Sequence, residues 1–199
     1  MTLYDLKPRF QALLAPLVAG LHRAGVSANA VTLAAAAASI GWGAWMALAP
    51  GSRWAFGLLP AFLLARMAMN AIDGLLARGF GQQSRLGAML NELGDVVSDA
   101  ALYAPFALLA GVRPACVMAV VLLAVLTEFA GVLGQVVGSS RRYDGPLGKS
   151  DRAFAFGAIG LAVGLGVPLG PWFDAVMLAL AALLGWTVAN RVRRALRAG

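Results

Sequence analysis

Asn70, Asp73, Asn91, Asp95 and Asp99 place five oxygen-bearing side chains in one thirty-residue stretch, NAIDGLLARGFGQQSRLGAMLNELGDVVSD, of a chain that is 60% hydrophobic and 13% charged. Ionisable groups inside a bilayer cost roughly 2.5–3.5 kcal/mol each on insertion scales, so such a cluster marks a functional site unless it is glue between helices. Asn70, Asp73 and Ala77 share one helical face, and Gly87, Asn91, Asp95 and Asp99 step by four along the next helix. The short loop between the two predicts antiparallel neighbours whose polar faces meet in one cavity. Oxygen-only ligands of this kind suit a hard cation, Mg²⁺ or Mn²⁺. Gly74, Ala77 and Gly87 leave room for a ligand near the backbone, and the guanidinium of Arg78 suits a phosphate. Carboxylates, metal and guanidinium together describe phosphoryl transfer at a diphosphate. Spacing alone leaves open a packing role or an ion path.

The elements that position this cluster follow from hydropathy. Apolar runs of spanning length recur at about 30–49, 54–77, 86–111, 114–138, 153–169 and 172–190, which predicts an all-α integral membrane protein with six transmembrane helices. Leu3, Leu6, Phe10, Leu13, Leu17 and Leu21 form an earlier apolar stripe, the pattern of an amphipathic helix lying in the membrane interface. Asp5, Pro8 and Arg9 interrupt any signal-peptide core there. The chain reads as one domain over 1–199, a juxtamembrane helix within 1–24 and a six-helix bundle over about 30–190.

With a cytoplasmic N-terminus, thirteen of the sixteen Lys and Arg residues fall on the inner side and only Arg53 and Arg113 outside, with Arg66 inside a span. That positive-inside bias places both termini and the polar stretch at the cytoplasmic face. The net charge of +7 therefore points to anionic lipid and phosphate rather than nucleic acid. A lone Cys116 and a lone His22 offer neither an internal disulfide nor a zinc site. Trp42, Trp45, Trp54 and Trp172 sit near span ends, where indoles anchor at the interface. Gly160 and Gly164 have the spacing of a close helix contact. Glu128, on a shared face with Gln135, needs a partner in the bundle, and Arg66 is one candidate.

The run Asn70-x-x-Asp73-Gly74-x-x-Ala77-Arg78, eight residues, Gly87-x-x-x-Asn91-x-x-x-Asp95 resembles the signature of the CDP-alcohol phosphatidyltransferases, with asparagine at the first and third aspartate positions. The early Ser27-Ala28-Asn29-Ala30-Val31-Thr32 is similar to the entry to the first span in that family, with Ala28 in place of proline. The resemblance implies a homodimer that transfers a phosphatidyl group from CDP-diacylglycerol to an alcohol acceptor, releases CMP and uses one or two divalent ions. It implies that Asp73 and Asp95, with Asn70 and Asn91, hold metal, and that Asp95 is also the general base. Gly74, Ala77, Arg78, Gly87, Asn29 and Thr32 would contact the nucleotide diphosphate. Asp99, one turn past Asp95, is the candidate to replace a missing carboxylate. A Ser-Asp at this offset is similar to the phosphatidylinositol-phosphate synthase branch.

Members that use phosphorylated acceptors carry basic residues near the start of the fifth span, which assigns Lys149 and Arg152, then Arg141 and Arg142, to an acceptor phosphate such as that of glycerol 3-phosphate or an inositol phosphate. The asparagine variant is most similar to bacterial inner-membrane members. The alternatives are an inactive paralogue that binds CDP-lipid and a small transporter; for the latter, no paired broken helices or inverted halves are visible.

Overall fold

The computed structural model describes the backbone of residues 3–198 and the side chains of residues 10–198. Among the described residues eight α-helices follow one another: α1 (Leu3–Arg23), α2 (Ala28–Leu48), α3 (Arg53–Gly57), α4 (Leu59–Gly79), α5 (Arg85–Tyr103), α6 (Pro114–Val136), α7 (Lys149–Gly164) and α8 (Pro171–Ala198). A 3₁₀ segment, Ala104–Leu108, continues α5. No strand occurs among the described residues. Four helices, α2, α4, α6 and α8, are long and apolar enough to cross a membrane. The third and fifth predicted spans fall on α5, whose polar face lowers its hydropathy, and on α7, which has only 16 residues.

Local chemistry sets the boundaries. Ser27, Ser52 and Ser84 accept hydrogen bonds from backbone N–H groups at the starts of α2, α3 and α5. Proline opens α6 and α8, where a missing N–H costs nothing. The predicted span 54–77 is broken near Leu58, with Pro60 in the first turn of α4. The helix expected from 153 begins at Lys149, where the Asp151 carboxylate accepts the Gly148 N–H at 2.8 Å.

Helices α4 and α5 meet through polar side chains, Arg66 and Asn70 reaching Asp95 and Asp99, while α2 packs closely on both. The contact of α2 with α5 is tight because Gly43 has no side chain: a Cβ there would meet the Ala101 carbonyl oxygen at 2.1 Å. Gly43→Ala should therefore separate these helices and cost about 1–3 kcal/mol, read as a lower melting temperature in detergent. Gly160 and Gly164 do allow close approach, to Phe56 and Gly57 of α3.

The main core gathers Phe56, Phe106 and Phe156 with Tyr103, whose ring stacks on Phe156 at 4.0 Å. A smaller cluster joins Val18 of α1 to Val31, Ile72 and Leu76. Helix α1 packs through Leu14, Val18 and Leu21 and leaves Phe10, Leu13 and Leu17 exposed. The Leu3 and Leu6 part of the stripe, with Asp5, Lys7 and Arg9, lies outside the described side chains. Trp42 is a packing residue rather than an anchor, since it stacks on Phe62 and donates to the Ala55 carbonyl at 3.0 Å.

Candidate active site

Helices α2, α4 and α5 enclose a cavity of about 730 Å³. Its walls include Asn29 and Thr32 from α2, Asn70, Asp73, Gly74, Ala77 and Arg78 from α4, and Gly87 and Asn91 from α5. Two glycines keep it open. A Cβ on Gly74 would meet the Arg78 guanidinium at 2.9 Å, and one on Gly87 would meet the Asn29 side-chain oxygen at 2.7 Å. Asp73 is buried, and one of its oxygens accepts from the Thr32 hydroxyl at 2.8 Å.

A second cavity, of about 330 Å³, opens beside Asp95 and includes Asn91, Glu92, Arg141 and Lys149 in its walls. Asn91 lines both cavities, and Asp95 lines the smaller one. Asn70, which faces the larger one, donates to Asp95 Oδ1 at 3.3 Å. Lys149 and, at 3.5 Å, Arg66 address that same oxygen. Asp95 Oδ2 receives no hydrogen bond from the described residues.

Asp99 does not join these oxygens. It is only 4% exposed, its Oδ1 accepts from Arg66 at 2.7 Å, and its Oδ2 accepts from Arg152 at 2.9 Å. Both of its oxygens are held by guanidiniums, which join α4, α5 and α7 through this carboxylate. Arg152 is likewise withdrawn from any acceptor surface, at 1% exposure, and its other carboxylate partner is Glu128 at 2.9 Å. Glu128 takes Arg152, Arg141 and Arg191, not the expected Arg66.

Arg142 turns away to Asp144, a loop residue that also binds Arg194 of α8. Partial burial works to raise the Asp144 pKa, but Arg142 and Arg194 outweigh it and hold the carboxyl below its ordinary range. Of the four predicted acceptor-binding cations, Arg141 and Lys149 alone line the smaller cavity.

Sequence reasoning missed Arg66 as a neighbour of Asp95, and Gln82, Gln83, Ser84 and Arg85 as walls of the larger cavity. Gln82 has a structural signature, since its side-chain oxygen accepts the Ala28 N–H at 2.7 Å and ties the 80–84 loop to the start of α2. The loop's polarity was the available signal, but it reads equally well as ordinary solvent exposure.

The CDP-alcohol phosphatidyltransferase family model matches residues 25–189, which contain every wall residue of the larger cavity and all but Arg191 of the smaller. The chain belongs to the CDP-alcohol phosphatidyltransferase family. It is 47% identical over 98% of its length to inner membrane protein YnbA of Escherichia coli, covering 97% of that protein. It is 31% identical to the archaetidylinositol phosphate synthase of Aeropyrum pernix, over 77% of each chain. Mycobacterium tuberculosis phosphatidylinositol phosphate synthase with CDP-DAG bound has the same fold, with a TM-score of 0.75 at 20% identity over 90% of this chain and 92% of that one. The same protein in complex with manganese and citrate gives a TM-score of 0.72 at 23% identity, over 91% and 88%. The CDP-alcohol phosphatidyltransferases are transferases, and this one is an all-helical membrane protein.

The donor set bears on the metal. Among the described residues no three His, Cys, Asp or Glu side chains converge on one point. Of the residues expected to hold metal, the cavities present the Asp73 and Asp95 carboxylates and the amide oxygens of Asn70 and Asn91. These are all hard oxygen donors, and they fit a divalent cation such as Mg²⁺ or Mn²⁺.

Proposed function

We propose that this protein transfers a phosphatidyl group from CDP-diacylglycerol to an alcohol and releases CMP. The observation that supports this most is the meeting of two cavities at Asn91, with Asp95 at the smaller and Asp73 at the larger. The larger receives the cytidine diphosphate: Asn29 and Thr32 approach from α2, and Arg78 offers its guanidinium to the diphosphate. The smaller receives the alcohol. A relative that binds CDP-DAG and another named as an archaetidylinositol phosphate synthase support a CDP-lipid donor.

Asp73, Asp95, Asn70 and Asn91 would hold the divalent ion, whose charge would offset that of the diphosphate when bound. The chain's own part in the chemistry centres on Asp95. Asn70, Arg66 and Lys149 fix its Oδ1, so Oδ2 is free to accept the proton of the acceptor hydroxyl. The freed oxygen attacks the phosphorus next to the diacylglycerol, the bond to the inner phosphate oxygen breaks, and CMP departs with that oxygen. Positioning and charge supply most of the rate in such transfers.

In the membrane we place six crossings, α2, α3 with α4, α5, α6, α7 and α8. Helix α1 lies at the cytoplasmic interface with Leu13 and Leu17 toward lipid. Both termini and both cavities then face the cytoplasm, an arrangement the Lys and Arg distribution supports.

The test is purified protein with Mg²⁺ or Mn²⁺, labelled CDP-diacylglycerol and a panel of alcohols. CMP and a new lipid are expected together, and both should vanish on chelation. CMP appearing without any lipid product, or at the same rate in chelator, would contradict the proposal. Asn91→Asp should tighten Mn²⁺ binding about tenfold by adding charge at the junction of the cavities. Unchanged Mn²⁺ affinity, measured by electron paramagnetic resonance, would place Asn91 outside the coordination sphere.

A further inference from the structure

Basic residues near the start of α7 suggest an acceptor phosphate when read from the sequence, but their partners suggest the opposite. The 330 Å³ cavity sets four carboxylates, Glu92, Asp95, Glu128 and Asp151, against three cations, Arg141, Lys149 and Arg191. Each cation is already engaged. Lys149 contacts Asp95; Arg141 binds Glu92 at 2.5 Å and Glu128 at 3.1 Å; Arg191 lies 3.4 Å from Glu128. Behind them Arg152 is shared between Asp99 and Glu128.

A phosphate monoester carries nearly two negative charges and accepts hydrogen bonds without donating them at neutral pH. Entering this cavity, it would have to pull guanidiniums from carboxylates they already neutralise, and leave those carboxylates unpaired in a half-buried site. A polyol has the opposite character. Each of its hydroxyls donates as well as accepts, so it can satisfy carboxylate oxygens and cation N–H groups together. Asp95, in the wall of the cavity, offers its Oδ2 as an acceptor for such a hydroxyl.

We propose that the acceptor of this enzyme is an uncharged polyhydroxylated alcohol and that Glu92 and Glu128, by neutralising Arg141 and Arg191, exclude phosphorylated ones. The inference rests on the transfer reading above and specifies the substrate class at that site.

The experiment measures CMP release from CDP-diacylglycerol with matched pairs: glycerol against glycerol 3-phosphate, and myo-inositol against inositol 1-phosphate. The wild-type protein should prefer the unphosphorylated member of the productive pair at least about tenfold in kcat/KM. Glu92→Gln releases Arg141 from one carboxylate and should shrink that preference about fivefold or more, chiefly through KM for the phosphorylated alcohol. Inorganic phosphate at millimolar concentration should not compete with the polyol in the wild type. Preference for the phosphorylated member, or competition by inorganic phosphate, would overturn the inference and leave transfer standing. A preference unmoved by Glu92→Gln would overturn the assigned cause. No CMP with any alcohol would defeat the transfer reading, and this inference would fall with it.

Discussion

Asp95→Asn is expected to lower CMP release by at least about a hundredfold, the lower end of what a positioned general base contributes. The substitution is nearly isosteric and keeps an oxygen in place for Asn70, Lys149 and Arg66, all of which address Oδ1. On the proposed mechanism it removes the basic carboxylate oxygen for the alcohol and the negative charge offered to a cation. The discriminating measurements are single-turnover CMP release together with CDP-diacylglycerol binding. Turnover should collapse while donor affinity changes by less than about tenfold, because the nucleotide walls belong to α2, α4 and the start of α5. Wild-type turnover in the variant would remove Asp95 from the chemistry.

Glu128→Ala should have the largest effect on folding. Arg191 has no other carboxylate among the described residues, and Arg152 and Arg141 each lose one of two. Arg152 and Arg191 are almost fully buried, so water cannot take over from Glu128. Truncating one member of a buried ionic network typically costs about 3–5 kcal/mol, since the remaining charges stay uncompensated. A lowered midpoint of thermal unfolding in detergent is the readout. Glu128→Gln keeps a hydrogen-bond acceptor and should lose distinctly less. Equal midpoints for Glu128→Ala and wild type would mean that the network carries no net stability.

The role of this network was not legible in the sequence, and the reason is geometric. Period and hydropathy identify the face on which Asp99 or Glu128 lies, but not which of the arginines reaches it. Arg66 lies 33 residues before Asp99, and Arg152 lies 53 after it, yet both bind that carboxylate. Asp99 follows Asp95 at the same four-residue step as the motif positions, which makes it the candidate for a missing carboxylate, but the step cannot show that arginines from two other helices bind it.

The larger cavity was more legible because most of its wall comes from the two segments that carry the motif. Asn70, Asp73, Gly74, Ala77, Arg78, Gly87 and Asn91 all face it. Even there, the part of α2 was hidden. Nothing in the polar stretch says that α2 packs closely on both α4 and α5. The small residues of α2, above all Gly43 against Ala101, make that packing possible. Boundaries moved for local reasons as well: Pro60 splits α3 from α4, and Asp151 caps α7 four residues earlier than hydropathy indicated.

The most direct test of the account is a structure with Mn²⁺ and CDP-diacylglycerol bound, using the anomalous signal to locate the metal. The account predicts manganese within coordination distance of Asp73, the diphosphate in the cavity between α4 and α5, and Asp95 Oδ2 open toward the smaller cavity. Manganese away from both Asp73 and Asp95, or the diphosphate bound outside that cavity, would contradict it.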